Sequence, residues 1–208
     1  MKKSEFDHVI AVAAQVTSEF EIVVIGSQAI LGSVAEPPES LLRSIEADVY
    51  PRRKPELAEE IDGALGDGSP FQQTYGYYAH GVGPGTAKAP AGWEERWVRV
   101  AVRKRPGDED GEVYALCIEA HDLILAKCVA GRERDWDFAA EAIAAGVVEM
   151  EELLGRVDQL PIAPEERLRV RKGLEGAREK LARSARDEED DDEAAPAGGS
   201  PAGGGPIP

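Results

Sequence analysis

The sequence predicts an α/β protein, a mixed sheet in an α+β arrangement with a helical C-terminal part. Three observations predict it. Apolar runs at 21–25 and 45–50 have strand character and are joined by a short helical stretch and a Pro-rich turn. Residues 96–105 and 112–118 flank a Pro/Gly turn at 106–111, as the arms of a hairpin do. From residue 121 the apolar spacing is helical to 184. A chain of 208 residues can bury one core of respectable size. The expected division is an α/β sheet domain over 1–118, a helical part over 119–184, and a disordered tail over 185–208.

The first helix is predicted over 3–17, with Phe6, Val9, Ile10, Ala13 and Val16 as its apolar stripe and Ser4 as its cap. A strand over 21–25 follows, then a short helix over 27–33 that stops near Gly32 and Pro37-Pro38. One more turn falls at 39–43 before the second strand, which Pro51 ends. A helix over 54–65 has Pro55 near its start and Gly66 after its end. The Gly- and Tyr-rich stretch 68–93 reads as short strands and ordered loops. The helix over 121–131 is apolar almost all round and so is expected to be buried. Helices over 134–145, 149–157 and 164–184 complete the pattern. After them the composition turns acidic, then rich in Gly, Ala and Pro, as in disordered chain.

The formal net charge is −16, and the unbroken acidic run Asp187–Glu193 supplies seven of the negative charges. Such a surface does not favour non-specific binding to a phosphate backbone. The Arg- and Lys-rich stretch 167–186 is a local basic patch through which one RNA could still be recognised. No apolar run approaches the roughly 20 residues that span a bilayer, and the first residues lack a signal-peptide pattern. No membrane association and a cytoplasmic location are therefore expected. The two cysteines, Cys117 and Cys128, read as buried reduced thiols and not as a disulfide framework.

Chemistry concentrates between residues 23 and 50. Gly26-Ser27 closes the first strand with a tight turn into a helix start, where free N–H groups and a hydroxyl suit a phosphate. An ordinary capped turn gives the same pattern. Glu46 and Asp48 alternate with Ile45, Ala47 and Val49, so both carboxylates project from one strand face and can share a divalent cation. A solvated face, or ion pairs with Arg43 and Arg52, is the other reading. Lys127 is the one charge within the apolar part of its helix. It pairs there with a carboxylate or a nucleotide phosphate, or else reaches solvent. Gly131, one turn on, leaves room above it. Arg132 and Asp135 read as braces of the helix junction. His80 reads as a loop residue, and Glu119, at a strand end, is a candidate third carboxylate with an ordinary surface acid as its rival.

These residues together resemble a known family. Gly26-Ser27 followed by Glu46-Ala47-Asp48 is similar to the GS…DxD signature of the nucleotidyltransferase fold. Lys127 with the GRERDWD run at 131–137 resembles the Lys and R-x-R-D segment of AbiEii-like toxin nucleotidyltransferases. The strings IGSQAILGS, EADVYP and YGYYAHGVGP look like those of a bacterial DUF6036-type, nucleotidyltransferase-like family of unknown function. The likeness covers residues 5–160.

The resemblance implies that Gly26 and Ser27 hold the β- and γ-phosphates, that Glu46 and Asp48 bind Mg²⁺ (or Mn²⁺), and that Lys127 contacts the nucleotide. Glu46, Asp48 and Lys127 would then be the catalytic set. The implied reaction is attack by an acceptor hydroxyl on the α-phosphate of a nucleoside triphosphate. Acceptors in such enzymes are tRNA, protein hydroxyls or small molecules. A role as the toxin of a toxin–antitoxin pair, with an antitoxin protein as partner, is likewise implied by the resemblance alone. Two departures stand out: the first metal ligand is Glu46 where Asp is usual, and the third carboxylate is unplaced. They define the alternative, a catalytically degenerate module that keeps the fold for binding. A third reading is an interaction protein that docks a partner through the basic helix or the acidic tail.

Overall fold

The computed structural model describes residues 1–102 and 112–194. The turn expected at 106–111 and residues 195–208 of the expected tail lie outside the described residues. The architecture is a five-stranded mixed sheet followed by a helical C-terminal region. The strands are β1 (Glu21–Val24), β2 (Glu46–Pro51), β3 (Tyr78–Gly81), β4 (Val98–Ala101) and β5 (Tyr114–Cys117). The sheet order is β3-β2-β1-β5-β4. β1 runs antiparallel to β2 and parallel to β5, β2 runs parallel to β3, and β4 and β5 form the expected antiparallel pair. β4 is shorter than the strand predicted for 96–105, and Pro51 is the last residue of β2, not its stop.

Alternation along the strands divides the sheet into two chemically different faces. Ile22, Val24, Ala47, Val49, Ala79, Ala115 and Cys117 belong to the main core. That face packs against α1 (Lys3–Thr17), α2 (Ile30–Ser33) and α3 (Ala58–Leu65). The opposite face carries a smaller cluster of Val23, Ile25, Tyr50, Val82 and Leu116, flanked by Trp93 and Trp97. Glu46, Asp48 and His80 alternate with Ala47, Val49 and Ala79 and so fall on this second face.

Phe6, Val9, Ile10 and Ala13 of α1 are buried as its stripe predicts, and Val16 is half-buried. The cap is Lys2, not Ser4: the Lys2 N–H donates to Glu5 Oε2 at 2.7 Å, closing the first turn from outside. One element was not expected, α4 (Pro70–Tyr75). Ser69 accepts from the Gln72 N–H at 3.2 Å and Gly76 ends the helix at φ 80°. Its six residues carry the start and stop signals but are too few to show a helical apolar period.

The helical region consists of α5 (Ala120–Ala130), α6 (Glu133–Ala144), α7 (Met150–Arg156) and α8 (Pro164–Ala194). Leu123, Ile124, Leu125 and Cys128 of α5 are buried, in one core continuous with that of the sheet. Trp136 of α6 lies against Gly173 of α8, where a Cβ would come within 2.2 Å of the ring. α8 runs to Ala194, past the limit of 184 read from the sequence. Its arginines grip the molecule: Arg167 donates to Leu160 O, Arg169 to Val129 O, Arg171 to Leu154 O, and Arg178 pairs with Glu151. The expected basic patch is thus engaged in internal contacts at four positions. Among the described residues, no helix is long and apolar enough to cross a membrane.

A buried ion network fastens α5 to its neighbours. Asp122, fully buried, accepts from Arg96 Nε at 2.8 Å, Arg96 Nη2 at 3.1 Å and Arg156 Nη1 at 2.9 Å. Glu119 caps α5, accepting from the N–H groups of His121 and Asp122, and it also accepts from Arg156 Nη1 at 2.7 Å. The Glu149 N–H donates to His121 Nε2, so the His121 proton sits on Nδ1 and is given to Glu119 at 2.6 Å. Burial alone would raise the Glu119 carboxyl; the bonds from His121 and Arg156 outweigh it and bring it down to about 2.

Two outcomes follow. Asp122→Ala leaves two arginines without their buried partner and should cost about 3–5 kcal/mol, read from the urea unfolding midpoint; an unchanged midpoint would remove the network as a structural anchor. Because the folded Glu119 carboxyl lies below its usual value of 4.5, its stabilisation is complete above that pH and is lost as pH falls towards about 2. Glu119→Gln should therefore be less stable than wild type at neutral pH, and the two unfolding curves should converge through that acid window.

Candidate active site

β1 ends at Val24, and Ile25 N–H still reaches Asp48 O at 3.0 Å, so the first and second strands stay paired up to Gly26. The chain then enters a 3-10 turn over Ser27–Ala29 and only afterwards the four-residue α2. The short helix expected over 27–33 is therefore present, opening as a 3-10 turn whose Ala29 N–H is bonded back to Gly26 O at 2.9 Å. Glycine is needed here for more than the turn. A Cβ on Gly26 would stand 1.9 Å from Asp48 Oδ2 and 2.8 Å from its Cγ, so the missing side chain makes room for the Asp48 carboxylate.

β2 delivers Glu46 and Asp48 to the same side, as alternation requires. β3 lies beside it in parallel register, with Tyr78 opposite Glu46 and His80 opposite Asp48. His80 Nδ1 is 3.0 Å from Glu46 Oε1 and 3.3 Å from Asp48 Oδ1. One ligand atom from each of these three residues lies within 4.8 Å of the others, which suits a single divalent cation. Burial, then the neighbouring Glu46 charge, raises the Asp48 carboxyl, against a lowering by His80. The Tyr78 hydroxyl is pushed up to about 12 by burial, by the Glu46 charge and by its hydrogen bond to that carboxylate.

Lys127, in the last turn of α5, approaches from the opposite wall. Its side chain is 15% exposed, with Nζ 3.4 Å from Asp135 Oδ1 and 4.6 Å from the centre of the Phe138 ring. Its partner is therefore a carboxylate of α6. Arg132 holds the other Asp135 oxygen at 2.6 Å, as expected of a brace. Burial lowers the Lys127 ammonium, opposed mainly by Asp135. Burial would raise the Asp135 carboxyl, but Arg132 and Lys127 together hold it down. Gly131 does not open space above Lys127. It ends α5 in the left-handed region at φ 69°, its N–H bonded to Lys127 O, and a Cβ there would face the Arg169 guanidinium.

Gly26, Ser27, Glu46, Asp48 and Lys127, the five residues singled out from the sequence, all line one cavity of about 740 Å³. His80, Arg132 and Arg134 line it too. Glu119 does not; both its oxygens serve the cap of α5 and the contacts to His121 and Arg156. The sequence reading missed His80, which is a strand residue and not a loop residue. The signal for it was the alternation of Tyr78 and His80 around Ala79, four residues long and embedded in a Gly-rich stretch.

Comparison with known proteins places this chain in a family. The model of the family described as "Nucleotidyltransferase of unknown function (DUF6036)" matches residues 4–186, so the chain belongs to that family. No match to this chain was found among the curated proteins or among the solved structures.

The contact between Gly26 and Asp48 gives a measurable coupling. Gly26→Ala should destabilise the protein by about 1–3 kcal/mol through overpacking. In an Asp48→Ala background the nearest remaining Asp48 atom would be Cβ, at 3.0 Å, and the penalty should shrink markedly. Additive unfolding free energies in this double-mutant cycle would show that the two residues do not constrain each other.

Proposed function

We propose that this member of the nucleotidyltransferase family moves a nucleoside monophosphate from a nucleoside triphosphate to an acceptor hydroxyl, with a divalent cation held at Glu46 and Asp48. One observation carries the reading: the paired carboxylates of β2, the Gly26-Ser27 turn and Lys127 of α5 converge on one cavity of about 740 Å³, within the size range of small-molecule sites. When bound, the cation would offset charge on the phosphates and orient them for in-line displacement.

The chain's own groups would do the rest. Glu46, Asp48, Asp135, Asp137 and Glu141 line the cavity and repel an unscreened triphosphate, so the nucleotide enters as its metal complex. Lys127, Arg132 and Arg134 supply positive charge from the opposite wall. The acceptor oxygen forms a bond to the α-phosphorus as the bond to the bridging oxygen of the β-phosphate breaks. Pyrophosphate leaves, and the acceptor's proton passes to water. Fixing the two reactants in line is the main contribution of the protein.

Incubating the purified chain with each α-³²P nucleoside triphosphate, Mg²⁺ or Mn²⁺, and a cell extract tests this. The labelled product is expected in the RNA, protein or small-molecule fraction, and that fraction identifies the acceptor class. Glu46→Ala/Asp48→Ala should fall to background, and Lys127→Ala should lose about 10²-fold in kcat/KM with an unchanged circular dichroism spectrum. Transfer by the double variant at the wild-type rate would sink the proposal. Nucleotide binding without transfer would turn the assignment to a binding module that keeps the fold.

A further inference from the structure

The proposed cation site is described by its two carboxylates alone only if β3 is ignored. β3 runs beside β2 in parallel, and its two outward residues stand directly against the two acids. Tyr78 is the register partner of Glu46, and His80 turns Nδ1 towards both carboxylates. The His80 side chain is 49% exposed, with Glu46 at 34% and Asp48 at 29%, so an ion can reach the three from the cavity.

We infer that His80 is the third ligand of this site and that, through its nitrogen, the site takes a first-row transition-metal ion such as Mn²⁺ in preference to Mg²⁺. The inference rests on the reading that a divalent cation binds at Glu46 and Asp48. Metal–ligand bonds of about 2.1 Å put neighbouring ligands of a six-coordinate ion about 3 Å apart. The separations from His80 Nδ1 are 3.0 Å and 3.3 Å. Mg²⁺ takes oxygen ligands and gives up its waters reluctantly. An imidazole nitrogen favours the transition metals, whose affinities for such a donor set rise from Mn²⁺ upward.

The extra methylene of Glu46 fits the same arrangement. Glu46 Oε1 lies closer to His80 than Asp48 Oδ1 does. β3 therefore contributes a donor atom beside both carboxylates.

The test is direct metal binding to the full chain, followed by Mn²⁺ electron paramagnetic resonance with Mg²⁺ as competitor, and by the Co²⁺ absorption spectrum. Wild type should bind Mn²⁺ about tenfold or more tighter than Mg²⁺. His80→Ala should lose about 10–100-fold in Mn²⁺ affinity and alter the Co²⁺ bands, with little change for Mg²⁺. His80→Asp, which restores an oxygen donor, should narrow the Mn²⁺/Mg²⁺ ratio. Mn²⁺ binding that is abolished by Glu46→Ala/Asp48→Ala but untouched by His80→Ala overturns the inference and leaves the proposed function standing. Mn²⁺ binding that depends on His80, with no label transferred under any cation, overturns the function and leaves the inference standing.

Discussion

The position of Lys127 depends on a carboxylate that never meets the cavity. Asp122 is fully buried one turn into α5, and a lone buried carboxylate there would be prohibitive. It is tolerated because Arg96, just ahead of β4, and Arg156, at the end of α7, both donate to it. Two separate pieces of the chain are thus tied to the first turn of α5. Since α5 is a rigid rod of eleven residues, fixing its first turn also fixes its last, where Lys127 stands over the second face of the sheet. His121 adds to the rigidity: it gives its Nδ1 proton to Glu119 and accepts from the backbone of Glu149, so both ring nitrogens are committed.

This division of labour explains which parts of the site were legible in the sequence. Glu46 and Asp48 were legible because a strand's period of two is local, and two acids between apolar neighbours announce a common face. Lys127 was legible as a lone charge in an apolar helix, since burial makes such a charge improbable without a purpose. Its partner was not: Asp135 lies eight residues on, across the α5–α6 junction, and only packing brings it to 3.4 Å. His80 was hidden for a different reason. Its meaning comes from parallel pairing with β2, a contact between residues 32 apart that no local pattern encodes. Glu119 misled for the converse reason, because a carboxylate at a strand end looks the same in sequence whether it faces a ligand or caps the next helix.

The fold itself was read more fully than the site. Binary patterning located β1, β2, the β4–β5 pair, α1, α3 and the helices of the C-terminal region, because each buries one face against a shared core. The cap and elements it missed or mis-bounded were set by single groups. Lys2 and Glu5 cap α1, whose bounds were read correctly, Ser69 and Gly76 bracket α4, and the stop at Gly131 is a backbone conformation. Gly26 belongs with these. A glycine before a turn is ordinary, and only the Asp48 carboxylate lying against it shows why no other residue fits.

The charge balance of the cavity carries the functional argument furthest. Five carboxylates line it, against Arg43, Lys127, Arg132 and Arg134. Three of those cations are already paired, Arg132 and Lys127 with Asp135 and Arg43 with Glu141 at 3.2 Å. The Lys127 contact is long for a charged pair, and an ammonium has three donors, one of which that contact uses. Phe138 covers a second side of the ammonium without accepting a full hydrogen bond. Lys127 is therefore held in place with donor capacity to spare, facing a pair of acids of which Asp48 resists ionisation through burial and through Glu46. Such an arrangement is unbalanced by itself. A cation between Glu46 and Asp48 relieves the repulsion on one wall, and an anion under Lys127 takes up the spare donors on the other. A metal-bound polyphosphate would bring both charges in one ligand, and in this way the charge arrangement of the two walls supports the proposed substrate class.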